Sequence, residues 1–270
     1  HEDDLERFSL VPGQEDFEAK LRDKAAAPLL GMIESFVQAL RLKNPKLSDH
    51  LMVHNFLGAM ENPFKSNKLW KGCQDGELEE AMDALERRIL ADEEVYSCIV
   101  SNMGQSWEAM DSSFEKKRFC LQFLQPSHLD INRSLALHPA MTLSRKVLDH
   151  MQDVRAPQEK LECIFRSARL IFRMLNEAAA ISNSEAASAD DFLPLFILTV
   201  LRSKATRVHS NIEYISLFRR PPRLGGERHY YLVQLQTAVT FIQSMDERSV
   251  TIEDDEFKIA YAKREEQWAA

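Results

Sequence analysis

Ser188-Ala189-Asp190-Asp191-Phe192-Leu193-Pro194-Leu195-Phe196-Ile197-Leu198-Thr199-Val200-Leu201 decides the fold of this chain. From Phe192 to Leu201 the run is apolar on nearly every side, yet it is ten residues long against the ~20 that a membrane span needs. Such a segment belongs inside a protein, as the central buried helix of an all-helical core. Proline in a first helical turn costs nothing, because its missing N–H would have no partner there. On that reading Asp190 and Asp191 stand just before the helix and Pro194 lies in its first turn. An aspartate so placed accepts orphan N–H groups and suits the positive end of the helix dipole. Two adjacent aspartates give one more carboxylate than capping requires, so one is left for a partner.

Helical periodicity extends both ways from this run. Upstream, Phe17, Leu21, Leu29, Leu30, Ile33, Phe36, Val37 and Leu40 recur at three- and four-residue steps, and Asn44-Pro45 closes that segment. A second helix is expected from about Leu47 to Met60, with Leu51, Met52, Phe56 and Leu57 inward and Pro63 near its end. A third starts near Glu77, carries Leu78, Met82, Leu85 and Ile89, and continues past Tyr96 and Ile99. A boundary falls between Asn102 and Phe119. Further helices are expected from Ala140 to Met151 and from Gln158, where Leu161, Ile164, Phe165, Ala168, Ile171, Phe172 and Leu175 line one face. Asn183 to Ser188 reads as a small-residue loop and Arg219 to Gly226 as the most loop-like stretch. Tyr231 to Met245 and Ile252 to Trp268 read as the last two helices.

Composition agrees. Gly (8) and Pro (10) are scarce in 270 residues, and hydrophobic and charged contents of 44% and 28% are those of a globular chain. The net charge of −8 argues against nucleic-acid binding, which needs a basic footprint. Cys73, Cys98, Cys120 and Cys163 are far apart, with no CxxC or Cys/His spacing for zinc, and read as reduced thiols in a cytosolic protein. The eight histidines show no ligand spacing, and no nucleophile motif or phosphate loop is present. The residues therefore offer no metal, cofactor or covalent chemistry. No signal peptide is visible, and His1 in first place points to a trimmed start.

Three segments taken together resemble the vacuolar-protein-sorting-nine domain, found in exchange factors for Rab-five-type GTPases. They are Ala189-Asp190-Asp191-Phe192-Leu193-Pro194, Ser210-Asn211-Ile212-Glu213-Tyr214-Ile215, and Tyr230-Tyr231 leading into Ala238-Val239-Thr240-Phe241-Ile242. His128-Leu129-Asp130-Ile131 and Ala156-Pro157-Gln158-Glu159-Lys160-Leu161-Glu162-Cys163-Ile164 add support, with His128 and Lys160 in structural roles. The stretch around Phe36, Phe56, Met60, Trp70 and Gly72-Cys73 is similar to plant-type members. The resemblance implies a helical bundle over 1–108, an exchange domain over 109–246, and a C-terminal helix over 247–270 that packs back. It also implies a cytoplasmic protein recruited to early endosomes, working in endocytic vesicle traffic.

What the resemblance implies for the site is specific. Asp190 matches the acidic finger, which enters a GTPase's nucleotide site, pairs with the phosphate-loop lysine and disfavours Mg²⁺. Tyr230 matches a tyrosine that helps to hold the GTPase switch regions open. Asp191, Pro194, Asn211 and Tyr231 fall in matched segments that contact the partner. Val233 and Gln234 stand where the family usually has Thr-Asn, a departure that could weaken exchange or alter GTPase choice. A hydrophobic groove for the switch regions is expected between the Phe192 and Tyr230 helices.

Each of these residues also has a local reading. Asp190 or Asp191 can cap a helix, Asn211 can serve as an N-cap or turn residue, and Tyr230 can be a half-buried packing residue. Two other functions compete. A GTPase-activating protein could draw an arginine finger from Arg219-Arg220. A binding module could dock on a GTPase without opening it.

Overall fold

The computed structural model describes residues 13–182 and 188–269, so most of the loop expected from Asn183 to Ser188 lies outside the described residues. Among those described there are thirteen α-helices and no strand, as an all-α chain requires. The chain divides into two compact units, the first formed by His1–Gln105, Asp153–Lys160 and Glu213–Leu224, the second by Ser106–Gln152, Leu161–Ile212 and Gly225–Ala270.

The first unit holds α1 (Gln14–Leu21), α2 (Ala27–Lys43), α3 (His50–Ser66), α4 (Asp75–Leu90) and α5 (Glu93–Ser101). Asn44 ends α2 in the left-handed conformation, φ 54°, which asparagine tolerates better than most residues. The inward face of α3 is Val53, Leu57, Met60 and Phe64. Leu57 is inside as expected, but Leu51 is 60% exposed, because it lies on the opposite side of the helix from Val53. Pro63 lies inside α3, which runs on to Ser66. The helix beginning near Glu77 does not continue past Tyr96. Asp92 breaks it, its side chain accepting from the Val95 N–H to start α5 afresh. Phe17, Phe64 and Trp70 close one end of this core, with ring centres 4.8 to 6.2 Å apart.

The second unit holds α6 (Gln105–Cys120), which begins one residue upstream of it, then α7 (Arg133–Ala136), α8 (Pro139–Asp149) and α9 (Pro157–Ser182) from Leu161 onward. It also holds α10 (Ala189–Arg202), the first turn of α11 (Val208–Phe218), α12 (Gly226–Ser244) and α13 (Asp254–Ala269). Helix α10 is central, as its apolar sequence demands: Phe192 and every residue from Leu195 to Leu201 are buried. Its main neighbour is α12, and α8 lies against it as well. Burying a helix end leaves carbonyls to satisfy. Gln122 Nε2 donates to the Leu201 carbonyl at 2.6 Å, and Arg118 Nη1 to the Ala205 carbonyl at 2.8 Å. At the start of α11, Asp111 accepts from the His209 N–H (2.8 Å) and from the Ser210 hydroxyl (2.5 Å). The terminal helix α13 is mostly exposed but is anchored by Phe257 against Phe123 and by Trp268 against Phe119.

Candidate functional site

Helix α10 starts earlier than the proline implies. Ser188 is its N-cap and forms a capping box with Asp191: the Asp191 N–H donates to Ser188 Oγ (3.2 Å), while Asp191 Oδ2 accepts from the Ser188 N–H (2.9 Å) and hydroxyl (2.7 Å). These bonds from the Ser188 hydroxyl and backbone hold the Asp191 carboxyl below its ordinary range. Asp190 and Asp191 therefore lie inside the first turn, not ahead of it. Pro194 sits a turn and a half in, where it removes the N–H that would otherwise bond the Asp190 carbonyl.

This geometry divides the two carboxylates. Asp191 completes the capping box with Ser188. Asp190 is exposed, at the positive end of the α10 dipole, and no hydrogen bond or ion pair engages it among the described residues.

Tyr230 reaches the same end of the α10–α12 pair through an aromatic cluster. Phe192, two residues beyond Asp190, lies 5.9 Å from the ring of Tyr231. Phe172 stacks on Phe192 at 4.9 Å, and Phe165 meets Tyr231 at 5.9 Å. Tyr231 is buried, while Tyr230, at 5.2 Å from it in an edge-on contact, is 39% exposed. The turn into α12 needs Gly226, whose φ of +70° a side chain would strain. Because α12 starts at Gly226 and not at Tyr231, Tyr230, Val233, Gln234 and Thr237 follow one another along one face at helical spacing. Val233 is exposed and Gln234 half-buried.

The expected groove between the two helices is filled at this end by the rings of Phe192 and Tyr231. What the pair offers a partner is a rim: Asp190, half-buried Leu193 and Pro194, then Tyr230, Val233 and Gln234.

Asn211 does not join the rim. It lies in the first turn of α11, is 8% exposed, and its Nδ2 donates to the Thr206 carbonyl at 3.1 Å. It thereby braces the bend at Arg207, where φ is 54°. His128 Nδ1 accepts from the Gln125 N–H, and Lys160, fully buried, lies 5.2 Å from the Tyr96 ring. The stretch from Arg219 to Gly226 is less loop-like than its composition. It contains a 3-10 turn, Pro221–Arg223. Arg219, 4% exposed, pairs with Asp83 (2.9 Å) and Glu86 (2.8 Å), and Arg220 pairs with Glu61 (2.6 Å). An arginine finger drawn from this pair would have to break ion pairs, buried ones in the case of Arg219.

Among the described residues no group of three or more His, Cys, Asp or Glu side chains is placed to hold a metal, and no helix is long and apolar enough to cross a membrane.

Comparison with known proteins identifies two segments of the chain. Residues 141–247 match the Vacuolar sorting protein 9 (VPS9) domain, and residues 32–92 match a Domain of unknown function (DUF5601). The chain is 29% identical over 255 residues to Vacuolar protein sorting-associated protein 9A of Arabidopsis thaliana, covering 94% of this chain and 49% of that protein. It is 26% identical over 259 residues to Vacuolar protein sorting-associated protein vps901 of Schizosaccharomyces pombe, covering 92% and 44%. With the Rab5 GDP/GTP exchange factor of Homo sapiens it shares 32% identity over 185 residues, covering 67% and 36%. The chain thus spans about half the length, or less, of these curated relatives. Asp190, Asn211 and Tyr230 all fall within residues 141–247, and this part of the chain belongs to the VPS9-domain family.

Proposed function

We propose that this chain is a guanine-nucleotide exchange factor for a Rab-five-type GTPase and that Asp190 is its acidic finger. The observation that carries the proposal is the split between two neighbouring carboxylates: Asp191 is committed to the α10 capping box, and Asp190 is exposed and unengaged among the described residues. A GTPase holds its nucleotide chiefly through the phosphate-loop lysine and Mg²⁺, the main counter-charges of the phosphates. A carboxylate that enters that pocket takes the lysine, repels the β-phosphate and disfavours the metal. Tyr230, on the same end of the helix pair, packs against the displaced switch regions. Exchange then proceeds by stabilising a nucleotide-free, Mg²⁺-free GTPase. Every ~1.4 kcal/mol of differential stabilisation is worth about tenfold in release.

The supporting residues fall into two groups. Val233 and Gln234 share the exposed rim with Tyr230 and contact the partner. Asp191, Pro194, Asn211 and Tyr231 hold that rim in place through capping, helix geometry, a loop bond and ring packing. No covalent step is involved. Action on a membrane-attached GTPase would place the protein, peripherally recruited, on early endosomes.

Release of labelled GDP from a panel of Rab GTPases, with excess GTP, tests the proposal. Acceleration on a Rab-five-type member, lost in Asp190→Ala, is the expected result. Binding that persists with release at the intrinsic rate would replace it with a docking module. Faster phosphate release from bound GTP would instead mark an activating protein.

A further inference from the structure

The C-terminal end of α10 carries a feature that nucleotide exchange leaves unused. A concavity there is lined by Met141, Thr142 and Arg145 of α8 and by Leu198, Thr199 and Arg202 of α10. It lies about 18 Å along the helix axis from Asp190, at 1.5 Å per residue.

Arg202 alone would need no comment. A cation in a last turn complements the helix dipole, and its Nη2 reaches the Leu124 carbonyl at the outer limit of a hydrogen bond, 3.5 Å. Arg145 has no such explanation. It comes from another helix and lies close enough for its charge to add to burial in lowering the Arg202 pKa. No carboxylate pairs with either guanidinium among the described residues. Asp149, one turn beyond Arg145, faces elsewhere and accepts from the Lys204 N–H at 2.5 Å. Other arginines of this unit behave differently: Arg166 and Arg228 both pair with Glu162, and Arg169 with Glu227. An acidic chain has here brought two cations together without a counter-charge.

We propose that this concavity binds a phosphate-type oxyanion between the guanidinium groups of Arg145 and Arg202, with the Thr142 hydroxyl as a further donor. The Thr199 hydroxyl already donates to the Leu195 carbonyl (3.0 Å), so it shapes the wall and supplies no proton. Two planar guanidinium forks match a tetrahedral dianion in charge and geometry. A single carboxylate would leave one cation unbalanced. Free phosphate and a phosphorylated lipid headgroup present the same chemistry.

Thermal unfolding of the whole chain in sodium phosphate, against sodium chloride at equal ionic strength, tests the site. An upward Tm shift of about 3 °C is expected at phosphate tenfold above its Kd, and none in Arg145→Gln. Arg145→Glu supplies an internal anion to Arg202, so it should melt higher without phosphate and respond to none. No shift beyond the chloride control, or an equal shift in wild type and Arg145→Gln, would overturn the proposal. Co-sedimentation with phosphatidylcholine vesicles, with and without a phosphoinositide, separates the sources. Phosphoinositide-dependent capture lost in Arg145→Gln assigns a headgroup, and a phosphate response without capture assigns a soluble anion.

Discussion

At the scale of single residues, the proposed function turns on which of two adjacent carboxylates is available. The Ser188 to Asp191 box was legible in advance, since a serine three residues before an acid is a helix-start signature. Taking Pro194 as a first-turn residue hid it and pushed the expected start of α10 downstream. Once the box is in place, the assignments separate cleanly. Asp191→Ala should lower stability by about 1 kcal/mol through loss of the carboxylate arm of the capping box, measurable by urea denaturation. Asp190→Ala should cost no more than about 0.5 kcal/mol, the worth of an exposed charge at the helix start. A loss as large as that of Asp191→Ala would mean that this carboxylate also belongs to the fold.

At the scale of elements, α10 and α12 act as one piece because Phe192 and Tyr231 meet in their seam. Two neighbouring tyrosines should therefore behave oppositely. Tyr231→Ala opens a cavity and should cost about 3–5 kcal/mol, with exchange falling as a consequence. Tyr230→Ala should keep the melting temperature and lose exchange. If both variants melt alike, the division between packing and contact is wrong. Val233→Thr, which restores the usual family residue on the exposed face, should give equal or faster GDP release; slower release would indicate contact chemistry particular to this chain. The apolar periodicity of α9 and α10 was enough to place these helices. The pairing of their rings with Tyr231 of α12 was not visible, because it joins residues dozens of positions apart.

At the scale of the whole molecule, an all-helical chain was legible from scarce glycine and from three- and four-residue apolar steps. The ion pairs that tie distant segments within each unit were not. Arg219 and Asp83 are 136 positions apart, and no local pattern announces their pairing. Asp111 at the start of α11 is equally silent in sequence. Burial pushes the Asp83 carboxyl up, but its bonds to Arg223 and Arg219 outweigh this and hold it below its ordinary value. The folded state thus favours the charged form. The resulting stability is present above the unfolded carboxyl range, near pH 4, and is lost as pH falls through the lower folded value. Asp83→Asn should cost about 1–3 kcal/mol at neutral pH, because Arg219 keeps Glu86 and Arg223 keeps Glu79 while each loses a charge-assisted bond. It should also flatten the acid limb of a Tm-against-pH curve, and an unchanged acid limb would assign acid sensitivity to other carboxylates.

The central claim is that a free negative charge at position 190 drives nucleotide release, and Asp190→Asn tests it most directly because it keeps the size of the side chain while removing the charge. The measurement is the dissociation rate of labelled GDP from a Rab-five-type GTPase with wild-type and variant protein at equal concentration. The expected result is acceleration by the wild type that falls by about one to two orders of magnitude in Asp190→Asn, the worth of a charged hydrogen bond, with melting temperature preserved. Asp190→Asn accelerating release as well as the wild type would contradict the account.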